Sequence, residues 1–420
     1  VAQEVNMTFQ ELYNRLVKAA VENRVEQEVE EIKKQDFDPH QLDCLLHPRD
    51  YGPVWRLGSC DCEDDGENCP TKCLFDSIEK DENGNITINI EKCVGCSDCI
   101  DRCKAEKLVG SKDILPVLDA VNNAKGPVYA MIAPAFISQF SEKVTPGKLR
   151  SAFKRLGFAG MLEVALFADI LTLKEALEFD RRIQDEKDFL LTSCCCPMWI
   201  AMIRRIYSQY IPHVPGSVSP MVACGRSIKL LETNAVTVFI GPCIAKKAEA
   251  REKDIADAVD YVLTFQEVQD IFDAAGIDPA ELEEDSRDHS SRAGRIYART
   301  GGVSEAVQST VKRLNPQRKI TVKARQADGM PACKEMLNAL KEGKITENFL
   351  EGMGCVGGCV GGPKAILNRE EGRKNVIAYG DQALYPTPID NPYVIDLLHR
   401  LGFDTIESLL EHSDIFTREF

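Results

Sequence analysis

Between residues 6 and 36 (NMTFQELYNRLVKAAVENRVEQEVEEIKKQD) apolar residues recur at helical spacing, with Phe9, Leu12, Leu16 and Ala19 on one side and charge elsewhere. The pattern predicts one or two amphipathic helices that serve packing or oligomerisation. Residues 40–110 lose this periodicity and read as loop-rich. From Pro116 to Phe420, β-rich runs (PVYAMIAPA, AVTVFIGPC, RKITVKAR) alternate with helical stretches, which predicts an α/β body. SRDHSSRAG at 286–294 reads as a surface loop, and no internal repeat or low-complexity segment is present.

Composition narrows the picture. A chain of 420 residues with 44% hydrophobic content buries a sizeable core, enough for two or three domains. A net charge of −15 disfavours nucleic acid and anionic membrane surfaces as partners. No apolar run of about 18 residues appears, and the start VAQEVNMTFQELYNRL lacks the layout of a signal peptide. The expectation is a soluble, cytoplasmic protein. Seventeen cysteines then call for metal or redox chemistry rather than a secreted disulfide framework.

Nine of the seventeen lie in the loop-rich segment. Cys93, Cys96, Cys99 and Cys103 stand in C-x2-C-x2-C-x3-C, a spacing that lets three thiolates hold one cubane while the fourth reaches a second. Cys60, Cys62, Cys69 and Cys73 form a looser upstream set. By the exchange rule of two-cluster ferredoxins, Cys60, Cys62, Cys69 and Cys103 hold one [4Fe–4S] cluster, and Cys73, Cys93, Cys96 and Cys99 the other. Zinc is the alternative for the upstream, irregular site. Cys44 and His47 have no assigned role.

Three further stretches carry chemistry: TSCCCPMW at 192–199, GPCIAKKAE at 241–249 and GMGCVGGCVGGP at 352–363. Glycines beside Cys355 and Cys359 let the backbone approach a bulky inorganic group, and the lysines after Cys243 offer ammonium donors to an anionic ligand. Taken alone, GCVGGC reads equally as a packing turn and KK as a solvated pair. Together the three motifs predict one metal site gathered from distant segments.

In this order the motifs resemble the signatures of the [FeFe]-hydrogenase catalytic domain, and the cysteine-rich segment resembles the two-cluster ferredoxin domain that often precedes it. The triple cysteine at 194–196 is similar to a divergent, group B-like subgroup. The resemblance implies an N-terminal helical segment (1–50), a ferredoxin-like domain with two [4Fe–4S] clusters (51–112) and a catalytic domain (113–420) of two parallel sheets flanked by helices. It implies that Cys196, Cys243, Cys355 and Cys359 ligate the [4Fe–4S] part of an H-cluster. Cys359 bridges to a diiron subsite carrying CO, cyanide and azadithiolate. Lys246, Met353 and Pro134 match family positions beside that subsite.

Glu175, Glu178 and Arg182, at i, i+3 and i+7, share one helix face. Spacing alone suits a solvated charged face. The resemblance instead makes them a proton path starting at Cys195, the cysteine before the ligand Cys196. Cys194 is left as a small buried hydrophobe, or as the relay if the turn is shifted by one residue. Three departures stand out: Pro215 where the family has a serine, with Ser217 nearby; Gly241 where a methionine is frequent, leaving more room; and Met221 where a glutamine is usual.

The implied activity is reversible interconversion of H2 with two protons and two electrons, as a ferredoxin hydrogenase. Electrons pass to a ferredoxin or similar small carrier, and maturation proteins supply the diiron subsite. The alternatives are a sensory hydrogenase of low turnover and a hydrogenase-like iron–sulfur assembly factor lacking the diiron subsite.

Overall fold

Strand Val128–Ile132 lies at the centre of a four-stranded parallel sheet, between Gly160–Glu163 and Val236–Gly241, with Tyr261–Thr264 beyond the latter. A second parallel sheet places Phe349–Met353 between Ala324–Asp328 and Leu190–Leu191. These coordinates are a computed structural model, which describes residues 7–60, 73–192 and 195–420. The central runs are apolar at consecutive positions because parallel strands are covered on both faces. Ala130, Met131 and Ile132 are buried accordingly, as are Val238, Phe239 and Ile240. The expected α/β architecture is present.

The run RKITVKAR contributes only its end. The strand starts at Ala324, opposite Phe349, because Lys323 is already tied off by Asn348, whose side chain accepts from Lys323 N at 2.8 Å. The expected amphipathic helices are Phe9–Val21 and Val25–Ile32, the first opened by a capping box between Thr8 and Glu11. Leu12, Leu16 and Ala19 are buried. This face packs on helices Ile114–Asn123 and Phe265–Ala275, and Tyr13 Oη donates to Asp270 at 2.7 Å.

The stretch 286–294 is a correction. Its second half is not surface loop, because Ser290 and Ser291 are buried. Ser291 and Gly294 donate backbone N–H groups to Asp169, at 2.6 and 2.8 Å. Asp169 is fully buried on helix Ala165–Arg182, and a carboxylate there has to be satisfied by donors from the neighbouring chain.

Helix Ala165–Arg182 is the central one, with Thr172, Lys174, Glu175 and Glu178 also buried. Segment 51–112 holds two small antiparallel pairs, Val54–Arg56 with Leu108–Gly110 and Ile78–Lys80 with Ile86–Ile88, and helix Asp98–Arg102. Its small core joins Val54, Ile86 and Leu108 with Cys60, Cys93, Cys99 and Cys103. Among the described residues no helix is long and apolar enough to cross a membrane.

Candidate metal centre

Each candidate stretch begins where a parallel strand ends. Pro134 follows Val128–Ile132, Cys243 and Lys246 follow Val236–Gly241, Cys195 and Cys196 follow Leu190–Leu191, and Cys355 and Cys359 follow Phe349–Met353. Carboxyl ends of parallel strands are where α/β proteins gather ligands, since the loops there are free of sheet pairing.

The loops line a mostly apolar cavity of about 50 Å³. Pro134, Cys195, Lys246, Met353 and Cys359 all line it, so five residues singled out in the sequence share one wall. Met221 also lines it, which keeps that wall apolar. Gly241 does not leave the extra room expected. A Cβ there would lie 2.8 Å from the Phe239 ring, so Phe239, another lining residue, takes that space.

The thiols sense one another electrostatically. Burial first, then the negative charges of Cys196 and Cys359, pushes the Cys243 thiol up to about 12, with Lys246 opposing. Burial and Cys196 push Cys359 up to about 11, again against Lys246. Cys355 is raised by burial and then by Cys243, Cys196, Cys359 and Cys96. Cys196 is buried, and its Sγ accepts from Gly354 N at 3.3 Å. Burial opposes the charge on Lys246, but Glu249, 2.6 Å from its Nζ, outweighs this and holds the ammonium above its usual range. Lys247, the other lysine of the pair, is turned away and bonded to Glu267 and Ser111 O.

Four thiols from three loops, with Cys243, Cys355 and Cys359 raised mainly by burial, suit a cluster whose iron supplies the missing positive charge. The backbone around them leaves no room for side chains. Gly357 and Gly358 have φ of 92° and 82°, and a Cβ on Gly358 would lie 2.7 Å from Thr300 N. Among the described residues no three His, Cys, Asp or Glu groups converge on a single ion. A cubane, by contrast, takes one thiolate at each iron corner and so spreads its ligands.

Cys195 is half-buried. Burial and then the charges of Cys196, Glu175, Glu351 and Cys359 push its thiol well above the usual range. Glu175 is fully buried and Glu178 nearly so, which removes the solvated-face reading. Glu178 accepts from Arg181 at 2.8 Å and lies 3.9 Å from Arg182, whose side chain is 30% exposed. Ser217 is buried and bridged to Thr417. Lys174 holds this bridge against the helix by donating to Gly216 O and Phe416 O.

In the N-terminal half, Cys93, Cys96 and Cys99 are half-buried, and each thiol is raised by burial first and in part by Cys73. Cys73 lies 3.1 Å from Ser77 Oγ and accepts from Phe75 N. Cys60, whose Sγ accepts from Ile86 N at 3.4 Å, shares the small core with Cys103. Cys62, Cys69 and Cys194 lie outside the described residues. Cys44 packs in the main core, 3.7 Å from His40, while His47 stays exposed. Sequence reasoning missed Phe239 and Tyr297 as lining residues. Phe239 sits inside a strand, and Tyr297 in a turn without a motif, so neither carried a signal.

The iron-only hydrogenase large subunit, C-terminal domain, matches residues 126–363. The chain belongs to this family. Iron hydrogenase 1 of Clostridium pasteurianum is 30% identical over 275 residues, 56% of this chain and 48% of that protein, so the chain spans about half of it. The periplasmic [Fe] hydrogenase large subunit of Nitratidesulfovibrio vulgaris is 28% identical, over 67% of this chain and 86% of that protein. Cytosolic iron-sulfur assembly component 3 of Pongo abelii is 23% identical, over 66% and 71%. A variant of the [FeFe]-hydrogenase of Chlamydomonas reinhardtii superposes with a TM-score of 0.59 at 21% identity, covering 73% of this chain and 99% of that one. This last likeness is one of fold. The family membership makes this an iron–sulfur, hydrogenase-type protein.

Proposed function

We propose that the chain is a hydrogenase that interconverts H2 with protons and electrons at an H-cluster. The observation that carries this reading is the cavity where Pro134, Cys195, Lys246, Met353 and Cys359 meet. Cys196, Cys243, Cys355 and Cys359 would hold the cubane, and Lys246 would offer a charge-assisted hydrogen bond to a cyanide of the diiron subsite. When bound, the H-cluster supplies the site of H2 cleavage and the first electron store.

The chain's own residues manage protons and water. Cys195 presents an Sγ–H at the cavity wall, and Glu175 and Glu178 carry protons toward Arg182 at the surface. Phe239, Met221 and Met353 make the lining apolar, which disfavours water beside the reacting groups. The ferredoxin-like segment relays electrons through two accessory clusters to a ferredoxin-like carrier, and maturation proteins deliver the diiron subsite.

An assembly factor is the second reading, because relatives from two organisms bear that name. Such a protein needs cubane ligands but has no evident use for a lined cavity and a buried carboxylate pair, and both are features of this chain. Infrared spectroscopy of anaerobically matured protein separates the two. Sharp CO and CN stretches are expected, and their absence after maturation with a synthetic diiron precursor would favour the assembly factor.

Iron content tests the accessory sites. Three cubanes plus a diiron subsite give about fourteen iron atoms per chain. A result near ten with one zinc would make the Cys60, Cys62, Cys69 and Cys103 site structural.

A further inference from the structure

Among the residues lining the cavity, Tyr297 carries a hydroxyl that the proton path above does not use. It is 6% exposed and sits on the turn Ile296–Ala298. Its Oη lies 2.8 Å from Thr172 Oγ1, and Thr172 Oγ1 lies 2.7 Å from Ala168 O. Thr172 is one turn before Glu175 on helix Ala165–Arg182, so the two side chains share a face.

Thr172 has one hydroxyl proton and two acceptors in reach. Given to Ala168 O, that proton leaves Tyr297 as donor to Thr172. Given to Tyr297, it frees the phenolic proton to turn toward the wall where Cys195 stands. Both arrangements keep the buried Thr172 hydroxyl bonded while the phenol reorients. The turn itself has no slack. A Cβ on Gly294 would lie 2.0 Å from Ala165 O, and one on Gly302 would lie 1.9 Å from Ile296 O. Tyr297 lines the same cavity as Cys195, and it feels the charges of Glu175 and Cys195 after the larger effect of burial.

We propose that the Tyr297–Thr172 hydroxyl pair is a positioning device for this site: Tyr297 offers a reorientable hydrogen bond that holds the Cys195–Glu175 relay and the diiron end of the cavity in register. The inference rests on the hydrogenase reading. No proton leaves the phenol oxygen in this role; only its hydrogen bond changes partner.

The test uses the full chain, matured, as parent, Tyr297→Phe, Thr172→Val and the double variant. Tyr297→Phe should bind the parent amount of iron, lower kcat about tenfold, the size of one hydrogen bond lost on the way to the transition state, and leave KM for H2 unchanged. Its CO and CN bands should be displaced from those of the parent, a readout independent of turnover. Thr172→Val should move both in the same direction. The double variant should be no worse than Tyr297→Phe within about twofold, because groups acting as one unit are not additive.

Parent-like kcat and bands in Tyr297→Phe would overturn the inference, as would a double variant whose loss is the product of the two. Should Tyr297→Phe fail to fold, Thr172→Val decides alone by the same two readouts. A parent without CO and CN bands removes the hydrogenase reading and this inference together. A parent with bands and an unaffected Tyr297→Phe removes this inference only.

Discussion

Cys195→Ala should keep the CO and CN bands of the loaded cofactor yet lose most turnover, by about 10²–10⁴-fold, the usual contribution of a positioned acid–base group. The thiol lines the cavity beside Cys359 and Lys246 while its neighbour Cys196 accepts from Gly354 N. On the proposed assignment, removing Cys195 takes away a proton carrier and leaves the ligand set intact. Cys194→Ala serves as the control and should stay within a few-fold of the parent, as expected for a thiol without catalytic work. H2 evolution assays with infrared spectra on both variants check this. A dead Cys194→Ala beside an active Cys195→Ala would mean that the turn before Pro197 is set one residue differently.

Glu175→Gln is the second large effect, again about 10²–10⁴-fold in turnover at unchanged iron content. The carboxyl is fully buried on a helix that is itself enclosed, so no bulk water replaces it. An amide matches the shape but does not pass a proton on. Adding Cys195→Ala should cost little more than either change alone, because serial groups fail as a unit. Parent-like H2 evolution by Glu175→Gln would show that protons reach the cavity by another way. Pro215 makes that outcome informative, since it has no hydroxyl to pass a proton on where the resemblance expects a serine.

Much of this centre was legible in the chain because cysteine spacing is a local signal. C-x2-C-x2-C-x3-C and the three later motifs mark a metal protein without any fold. The long buried strands Val128–Ile132 and Val236–Gly241 were legible too, as continuous apolar runs. Gly160–Glu163, Leu190–Leu191 and Phe349–Met353 were not. Leu190–Leu191 is too short to show a period, and Phe349–Met353 includes a buried Glu351. That carboxylate is tolerated because Gly301 N and Ser304 N donate to it, at 2.8 Å each, a partnership of residues far apart in sequence. The same reason hid the role of 286–294. Its polar residues read as solvated until Asp169 is seen to need the N–H groups of Ser291 and Gly294. Burial of Glu175 and Glu178 was likewise beyond pattern alone, since a charged i, i+3 pair looks the same on a surface.

The way the sheets are threaded sets the order in which the site comes into being. Val128–Ile132 lies against Val236–Gly241, and Leu190–Leu191 against Phe349–Leu350, with residues 192–348 between the latter pair. Such distant pairings close late, after the entropy of long loops has been overcome. Until then Cys196, Cys243, Cys355 and Cys359 are ordinary solvent-facing thiols on a flexible chain, open to disulfide formation and to sulfenic or higher oxidation. Reductant present during synthesis is therefore expected to protect these four thiols before the loops close.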